Sequence, residues 1–524
     1  MSNILTNIKK NAEQNPDRIM YVTTYLGEEG ELQLEKLRWR ELEKDSNCLA
    51  NYFSLNLKTK TPVVVFGHKS MYMPIAFLAC VKSGRAYVPV DSSFPAGRVQ
   101  DILDAVEPEL VVAVDDLPEV NCAGMIMNRD ALLKAIEENS PLEDSSLWVK
   151  PEDIHYIIFT SGSTGAPKGV QITSQCLDNF LKWAVKLSPT DSLQEGHHTY
   201  INQAPFSFDL SVFDLYLVLY TGGTLWTIPK ALQGNMQALY TYLGMSNADV
   251  WVSTPSFAEI ALSDDKFRDT LLPKMRLFLF CGETLTNQTV SKLNEIFPDA
   301  QVVNTYGPTE STVAMTSVCV TPEIRNRYNP LPIGVPKEGT NVYIMDEKGN
   351  VLPEGEKGEI VIAGDTVSVG YWKNEEKTQS VFGIMVVDGK RYRLYHTHDK
   401  GYYRDGLLFY CGRIDLQIKL HGYRIELEDI ESNILRTSNV EQAVILPEFV
   451  DGEVVSLTAY IVVRTAIESA LKERKRIREE LKMRIPEYMI PKKFVFVESL
   501  PVTTNGKVDR KKLEGMRNAD SGTI

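Results

Sequence analysis

The sequence contains little of what would place the protein in a membrane or on nucleic acid. No apolar run approaches the roughly 18 residues that cross a bilayer, and the N-terminus lacks the apolar core of a signal peptide. Positive charge is also scarce, because 56 lysines and arginines oppose 69 aspartates and glutamates, which leaves a formal net charge of −13. Nucleic-acid and anionic-membrane surfaces need clustered positive potential. We therefore expect neither a nucleic-acid partner nor direct membrane insertion.

Cysteine is scarce as well. The seven cysteines stand singly, without the CxxC or CxH spacing of metal sites. Isolated cysteines in odd number are typical of reduced, intracellular proteins. The sequence thus predicts a cytoplasmic protein without a cysteine metal site.

Residues 472–484 are the one local exception to the acidic balance. Seven basic residues accompany three acidic ones there, in a helix-like pattern. Such a stretch is either a solvated helix face or a docking surface for an acidic partner protein. Both interpretations stay open at this point.

The chain has enough apolar material for real cores, since 43% of its 524 residues are hydrophobic and 24% are charged. This length exceeds one ordinary core and predicts several domains. Short β-rich runs alternate with helical patterns through the first part, which predicts an α/β fold with doubly wound, largely parallel sheets. The predicted strands are 63–66, 86–90, 110–114, 156–159, 250–253, 277–280 and 301–303, and the predicted helices include 71–81 and 99–106.

The texture of the sequence changes twice after this α/β part. From about residue 335 it becomes Gly-rich and alternating, which predicts hairpins, and from residue 416 strand-like and helical stretches mix again. We predict a large N-terminal domain (1–412) that includes a β-rich subdomain (about 335–412). A hinge at 413–415 and a small, mobile C-terminal α+β lid domain (416–524) follow.

Residues 160–169 (TSGSTGAPKG) follow the predicted strand 156–159 directly. Glycines let backbone amides turn toward a ligand, hydroxyls donate hydrogen bonds, and Lys168 adds positive charge, so the segment is suited to cradle phosphates. The GxxxxGK[ST] pattern of a P-loop does not fit it. A plain flexible turn is the alternative interpretation.

Residues 304–310 (NTYGPTE) also follow a predicted strand. Their carboxylate and hydroxyls are suited to Mg²⁺, and the tyrosine offers a face for a purine. A Gly-Pro turn with a surface glutamate is the alternative. Four further motifs complete the ordered set: YHTHD (395–399), GRID (412–415), KLHGYRIE (419–426) and TTNGKVDR (503–510).

This ordered set resembles the motifs of the adenylate-forming superfamily, which includes acyl-CoA synthetases, luciferases and peptide-synthetase adenylation domains. The likeness spans nearly the whole chain. Within the superfamily, five segments are most similar to those of D-alanine:D-alanyl carrier protein ligases: QAPFSFDLSVFDLY (203–216), WVSTPSFAE (251–259), FLFCGE (278–283), KLHGYRIELEDIE (419–431) and YMIP (488–491).

The resemblance implies an ATP site and a magnesium site. The implied ATP-binding residues are Thr160, Ser161, Gly162, Ser163, Thr164, Gly165, Lys168, Asn304, Thr305, Tyr306, Gly307, Pro308, Thr309, Asp399, Tyr410, Cys411, Gly412, Arg413 and Lys507. Glu310 and Thr164 would hold Mg²⁺, Asp399 would bridge the ribose hydroxyls with help from Arg413, and Lys507 would be the catalytic residue. One departure is His398, because the family usually has glycine before this aspartate.

The resemblance also implies a substrate pocket and a hinge. Asp209 would bind an α-ammonium group, Cys281 and Val313 would line the pocket, and Lys507 would contact the substrate carboxylate. A carboxylate among aromatic residues needs a cationic partner, but a cap for the following helix is a serious alternative for Asp209. Cys281 would act sterically, as a wall. Asp415 would be the hinge about which the small domain swings.

The implied reaction forms D-alanyl-adenylate and pyrophosphate from ATP and D-alanine. The D-alanyl group then passes to the phosphopantetheine thiol of a small acidic D-alanyl carrier protein, for lipoteichoic acid D-alanylation in a Gram-positive cytoplasm. Three alternatives remain: an adenylation enzyme for L-alanine, glycine or serine, a catalytically silent protein that docks carriers, and a luciferase-like oxidative enzyme.

Overall fold

Two sheets, one of nine strands and one of six, build the N-terminal part of the computed structural model. The structure describes residues 3–27, 31–162, 166–188, 193, 197–420, 422–450, 453–465, 467, 469–501, 508–510 and 512–515. The strands of this part are β1 (Ile19–Leu26), β2 (Leu32–Arg38), β3 (Val63–Phe66), β4 (Tyr87–Val90), β5 (Leu110–Ala113), β6 (Met125–Asn128), β7 (Ile154–Thr160), β8 (Lys168–Thr173), β9 (Thr199–Asn202), β10 (Thr224–Thr227), β11 (Val250–Ser253), β12 (Leu277–Phe280), β13 (Gln301–Tyr306), β14 (Thr316–Cys319) and β15 (Val335–Pro336).

Twelve helices accompany these strands among the described residues. They are α1 (Asn3–Gln14), α2 (Trp39–Asn56), α3 (Tyr72–Lys82), α4 (Ala96–Val106), α5 (Arg129–Glu138), α6 (Ser174–Ala184), α7 (Leu210–Thr221), α8 (Lys230–Gln233), α9 (Met236–Gly244), α10 (Pro255–Ala261), α11 (Asn287–Ile296) and α12 (Pro322–Arg327). None of the helices in the described ranges is both long and apolar enough to span a membrane.

The order of the strands confirms the predicted α/β class. The larger sheet runs β15-β14-β13-β12-β11-β9-β10-β1-β2 and the smaller one β6-β5-β3-β4-β7-β8. Neighbours from β10 through β9, β11 and β12 to β13 are all parallel. Strands β3, β4, β5, β11 and β12 are buried along their whole length, because helices cover both faces of parallel sheets.

An antiparallel sheet follows, as the Gly-rich texture predicts. Its elements are β16 (Thr340–Met345), β17 (Gly358–Gly364), α13 (Glu375–Val381), β18 (Phe382–Val387), β19 (Lys390–Arg404) and β20 (Leu407–Arg413). The strand order is β16-β17-β19-β18, and β20 also pairs with β19.

The smaller C-terminal domain has a hydrophobic core of its own, which includes Ile430, Ile445 and Leu457. Its elements are β21 (Gln417–Leu420), β22 (Tyr423–Glu426), α14 (Leu427–Leu435), β23 (Val440–Val450), β24 (Glu453–Val463), α15 (Ala470–Lys482) and β25 (Lys493–Phe496). Strands β21 and β22 form a hairpin, and β23, β24 and β25 form a sheet. The exact bounds predicted for the domains and the hinge stay predictions.

Helix α15 carries the basic stretch. Ile477 and Leu481 are its buried residues, and most of its basic side chains are exposed. Arg476 pairs within the helix with Glu473 and Glu480. This arrangement fits a solvated helix face, and docking of an acidic partner stays untested.

Candidate functional site

The predicted site residues converge at the carboxyl ends of the parallel strands, where ligands of open α/β sheets bind. Strands β7, β12 and β13 end at the phosphate-cradling segment, at Cys281 and at the 304–310 motif. A cleft of about 760 Å³ is lined there by Asn304, Thr305, Tyr306, Tyr410, Gly412, Arg413 and, from the small domain, Lys419 and Ile445. A second cavity of about 80 Å³ is lined by Thr160, Ser161, Ser207, Asp209, Gly307, Pro308, Thr309, Asp399 and Arg424. The structure therefore gathers both predicted ligand sites in one region.

Asp399 is held by two donors at this cleft. The Tyr306 hydroxyl donates to its Oδ2 at 2.5 Å, and Arg413 Nη1 donates to its Oδ1 at 2.8 Å. The carboxylate is almost fully buried. Its fixed orientation suits recognition of a vicinal diol, which is the role predicted for Asp399 with Arg413.

The backbone explains why glycine is usual at the position of His398. His398 has φ of 58°, in the left-handed region that favours glycine. Its backbone N–H donates to Glu359 Oε1 at 2.9 Å, and its imidazole Nδ1 lies 3.0 Å from the same oxygen. Burial alone would raise the pKa of Glu359, but hydrogen bonds from His396 and His398 outweigh it and hold that pKa well below the ordinary value. The turn that presents Asp399 therefore forms without glycine.

Glu310 is fully buried and carries its charge among cations. Arg424 Nη1 donates to Oε2 at 2.6 Å, the Tyr371 hydroxyl donates to Oε1 at 2.8 Å, and Lys168 Nζ lies 3.9 Å from Oε1. Burial alone would raise the pKa of Glu310, but Arg424 and Lys168 hold it far below the ordinary value. The carboxylate is thus an anion whose charge is balanced by Arg424 and Lys168.

Glu310 is the candidate carboxylate ligand for Mg²⁺, but in this orientation Arg424 and Tyr371 already occupy both of its oxygens. In the part of the chain that the structure describes, no group of three or more His, Cys, Asp or Glu side chains could enclose a metal. Mg²⁺ usually binds one or two carboxylates together with nucleotide phosphates and water, so Glu310 would hold it only after Arg424 of the small domain has moved away. Thr164, the second predicted metal residue, lies outside the described residues.

The phosphate-cradling segment contacts the small domain. Ser161 Oγ donates to the Arg424 carbonyl at 3.0 Å and accepts from the Glu426 backbone N–H at 3.1 Å. Lys168 Nζ donates to Glu426 Oε1 at 3.2 Å. Thr160 Oγ1 is buried without a hydrogen-bond partner among the described residues. Gly162 allows a close turn, because an added Cβ would lie 2.1 Å from the Ala166 carbonyl oxygen. Ser163 and Gly165 lie outside the described residues.

Asp209 does not cap α7. It occupies the N-cap position, but its side chain makes no capping hydrogen bond there. Instead its Oδ2 accepts from Thr309 Oγ1 at 2.6 Å, which turns the carboxylate toward the 304–310 motif. Burial raises the pKa of this carboxyl. Among the described residues Asp209 forms no close ion pair, and Arg424 and Lys419 act on its charge only from a distance, so this partly buried carboxylate lacks a cation in direct contact.

Cys281 and Val313 lie together, as the predicted pocket wall requires. Both are buried, and the Cys281 thiol donates to the Val313 carbonyl across 3.7 Å. Burial raises the pKa of this thiol, which disfavours the nucleophilic thiolate. Burial thus argues against a nucleophilic role, and the steric role of Cys281 as a pocket wall stays a prediction.

Asp415 connects the ribose site to the start of the small domain. Arg413 Nε and Nη2 donate to its two carboxylate oxygens at 2.7 Å each, while Nη1 of the same arginine reaches Asp399. The Gln417 backbone N–H also donates to Asp415 Oδ1 at 3.2 Å. A hinge at Asp415 would therefore move next to the nucleotide.

Lys507 lies outside the described residues. Cys411 is exposed and lines neither cavity, and the other described site residues that line neither are Gly162, Lys168, Cys281, Glu310 and Val313. Sequence reasoning also missed the roles of Tyr371, Lys419 and Arg424. Lys419 Nζ lies 5.9 Å from the Tyr306 ring centroid. The KLHGYRIE motif contains Lys419 and Arg424, so the cations of that motif were the available signal.

Comparisons with known proteins match nearly the whole chain. Residues 8–372 match the AMP-binding enzyme family, and residues 429–507 match the AMP-binding enzyme C-terminal domain. The D-alanine–D-alanyl carrier protein ligase of Listeria innocua is 44% identical over 524 residues, which cover 99% of each chain. That of Bacillus cereus is 45% identical over 516 residues, covering 97% of this chain and 98% of the relative.

Solved structures agree in fold. The adenylation domain AlmE of Vibrio cholerae, solved with glycyl-adenosine-5'-phosphate, has a TM-score of 0.77 at 21% identity, covering 99% of this chain and 98% of that one. The o-succinylbenzoate CoA synthetase of Bacillus subtilis has a TM-score of 0.80 at 18% identity, covering 97% and 98%. At such identities the likeness concerns the fold alone.

Proposed function

Because this chain belongs to the AMP-binding enzymes and, among them, to the D-alanine–D-alanyl carrier protein ligases, we propose that it activates D-alanine with ATP as D-alanyl-adenylate. It then transfers the D-alanyl group to the phosphopantetheine thiol of a carrier protein. The protein is accordingly an AMP-forming ligase. Its product would serve lipoteichoic acid D-alanylation, and its place would be the cytoplasm, in keeping with its free cysteines.

The Asp209 carboxylate carries the amino-acid part of this proposal. A partly buried carboxylate without an ion-pair partner is costly until a cation reaches it, and the α-ammonium group of an amino acid supplies one. Thr309 holds the Asp209 side chain in place. A fatty or aromatic acid has no group that would use this charge.

The remaining predicted residues would each bind a different part of the nucleotide. Residues 160–168 would hold the β- and γ-phosphates, residues 304–309 would line adenine and the α-phosphate, and Asp399 with Arg413 would bind the ribose. Glu310 would hold Mg²⁺, which neutralises phosphate charge when bound. Lys507 would bridge the substrate carboxylate and the α-phosphate, where negative charge concentrates during attack.

Pyrophosphate exchange with a panel of amino acids tests the proposal. D-alanine should give the highest kcat/KM among D-alanine, L-alanine, glycine and serine. A clear preference for another amino acid of the panel would identify that amino acid as the substrate of the same reaction. An absence of ATP turnover with every acid would leave the carrier-docking alternative.

The Cys281→Ala variant should relax the choice between alanine enantiomers. If Asp209 holds the ammonium and Lys507 the carboxylate, the methyl of one enantiomer points toward the wall that Cys281 forms with Val313. Removing the thiol should reduce the discrimination in kcat/KM by about 1–3 kcal/mol, the range for one methylene in a pocket. Cys80→Ala, at another buried cysteine, is the matched control. An unchanged enantiomer ratio in Cys281→Ala would show that this pocket is misplaced.

The Asp415→Pro variant should separate the two half-reactions. Proline fixes φ and removes the backbone N–H, so a hinge at this position would lose its rotation. Pyrophosphate exchange should stay within a few-fold of the parent, while thioester formation falls about 100-fold or more. Asp415→Ala loses the Arg413 ion pair but keeps the backbone free, so it should retain transfer. Equal loss of both half-reactions in the proline variant would argue against a hinge.

A further inference from the structure

Lys69 is a buried lysine that the proposed chemistry does not use. It follows β3 and is 1% exposed. Its φ of 51° lies in the left-handed region, and its carbonyl accepts from the Tyr21 hydroxyl at 2.9 Å. The side chain therefore points into the protein from a fixed backbone.

Among the described residues, the contacts of the Lys69 ammonium concentrate on one short segment, residues 202–206. Its Nζ donates to the Asn202 side-chain carbonyl and to the Ala204 backbone carbonyl at 2.5 Å, and it lies 3.5 Å from the Asn202 carbonyl. The Phe206 ring centroid is 5.1 Å from the same ammonium. Through these contacts the lysine holds residues 202–206, just after β9, in place, an arrangement that we call the Lys69 clamp.

Asn202 extends this clamp to α7. Its Nδ2 donates to both carboxylate oxygens of Asp214 at 2.8 Å each. Burial lowers the pKa of the Lys69 ammonium to about 7, and Asp214 and Asp91 are the carboxylates that oppose this effect. A charge in such a place costs free energy that a methionine of similar size would avoid. Packing alone therefore does not account for a lysine here, whereas its hydrogen bonds to Asn202 and Ala204 do.

The clamped segment leads directly to the ammonium-binding carboxylate. Between Ala204 and α7 the chain carries Ser207, whose buried Oγ has no hydrogen-bond partner among the described residues, and then Asp209. Both side chains line the smaller cavity. We propose that Lys69 is a positioning residue for amino-acid binding: it fixes the 202–206 segment and thereby the place of Asp209. This proposal rests on the role assigned to Asp209 in the proposed function.

Lys69→Met tests the clamp, because methionine keeps the length and loses the ammonium. The KM for the amino acid in pyrophosphate exchange should rise about 10- to 100-fold, as expected when a binding group shifts by about 1 Å. The KM for ATP should stay within about twofold, since the nucleotide residues lie on other segments. A merely structural residue would not separate the two KM values in this way.

Lys82→Met is the matched control. Lys82 is also wholly buried, but its Nζ donates to Glu43 and Ser46 at 2.7 and 2.9 Å, away from the 202–206 segment. Its variant should lose thermal stability and keep both KM values. If Lys69→Met raises the amino-acid KM no more than Lys82→Met does, the proposal is wrong.

Asn202→Ala examines the same link if Lys69→Met yields no folded protein. It removes the side-chain acceptor of the ammonium and the donor to Asp214, so the amino-acid KM should again rise alone. An unchanged KM in a folded Asn202→Ala variant would overturn the proposal. The proposed function is tested separately, on the parent enzyme. The KM of each variant is then compared with that of the parent for the amino acid that the parent uses best.

Discussion

Lys507→Ala should lower D-alanine-dependent pyrophosphate exchange by about 100- to 1,000-fold, the usual loss when one group that stabilises transition-state charge is removed. Attack of the substrate carboxylate on the α-phosphate brings two anions together, and the lysine would supply the cation between them. The Kd for ATP should change little, because the carboxylate partner of Lys507 arrives only with the amino acid. Exchange kinetics and ATP titration measure the two effects.

Two further measurements sharpen this prediction. In the described orientation, the small domain contacts the phosphate-binding residues through Arg424 and Glu426. Lys507 is assigned only to the adenylation step, so transfer from supplied D-alanyl-adenylate to the carrier should persist in Lys507→Ala. Lys512→Ala, at an exposed lysine nearby, is the control and should behave as the parent. Undiminished pyrophosphate exchange in Lys507→Ala would show that Lys507 is not the catalytic residue.

Local sequence patterns were sufficient for the α/β fold. The strands predicted at 250–253 and 277–280 have those bounds in β11 and β12, because short apolar runs bordered by polar residues define buried parallel strands. The strand predicted at 301–303 continues to Tyr306, since the polar motif residues that suggested a loop still pair with β14. The prediction ended β13 too early because the last residues of this strand are polar.

The contacts between distant residues could not be predicted. Arg424 binds Glu310 and Glu426 binds Lys168, and no periodicity links positions separated by 114 and 258 residues. Lys69 gave only a weak signal, as a single cation between an apolar strand and an apolar helix. The predicted role of Asp209 is the opposite case, because sequence reasoning left a helix cap and an ammonium ligand equally open. The hydrogen bond from Thr309 and the missing cap then favour the ligand.

Asp209→Asn should produce the second large loss. Asparagine keeps the shape and the acceptor for Thr309, but it removes the negative charge that the α-ammonium group needs. Breaking one side of a desolvated charge pair costs about 3–5 kcal/mol, so kcat/KM for D-alanine should fall at least about 100-fold. Pyrophosphate exchange at saturating ATP measures this loss.

Propionate distinguishes a lost ion pair from general damage in Asp209→Asn. It has the carbon skeleton of alanine without the ammonium group, so removal of the Asp209 charge should not weaken its activation. The ratio of kcat/KM for D-alanine to that for propionate should therefore collapse in the variant. Asp178→Asn, at a buried carboxylate that accepts from the Ile4 backbone N–H at 3.1 Å, should keep the parental ratio. If Asp209→Asn lowers kcat/KM for both substrates equally, Asp209 supports the fold of the pocket and the ammonium binds elsewhere.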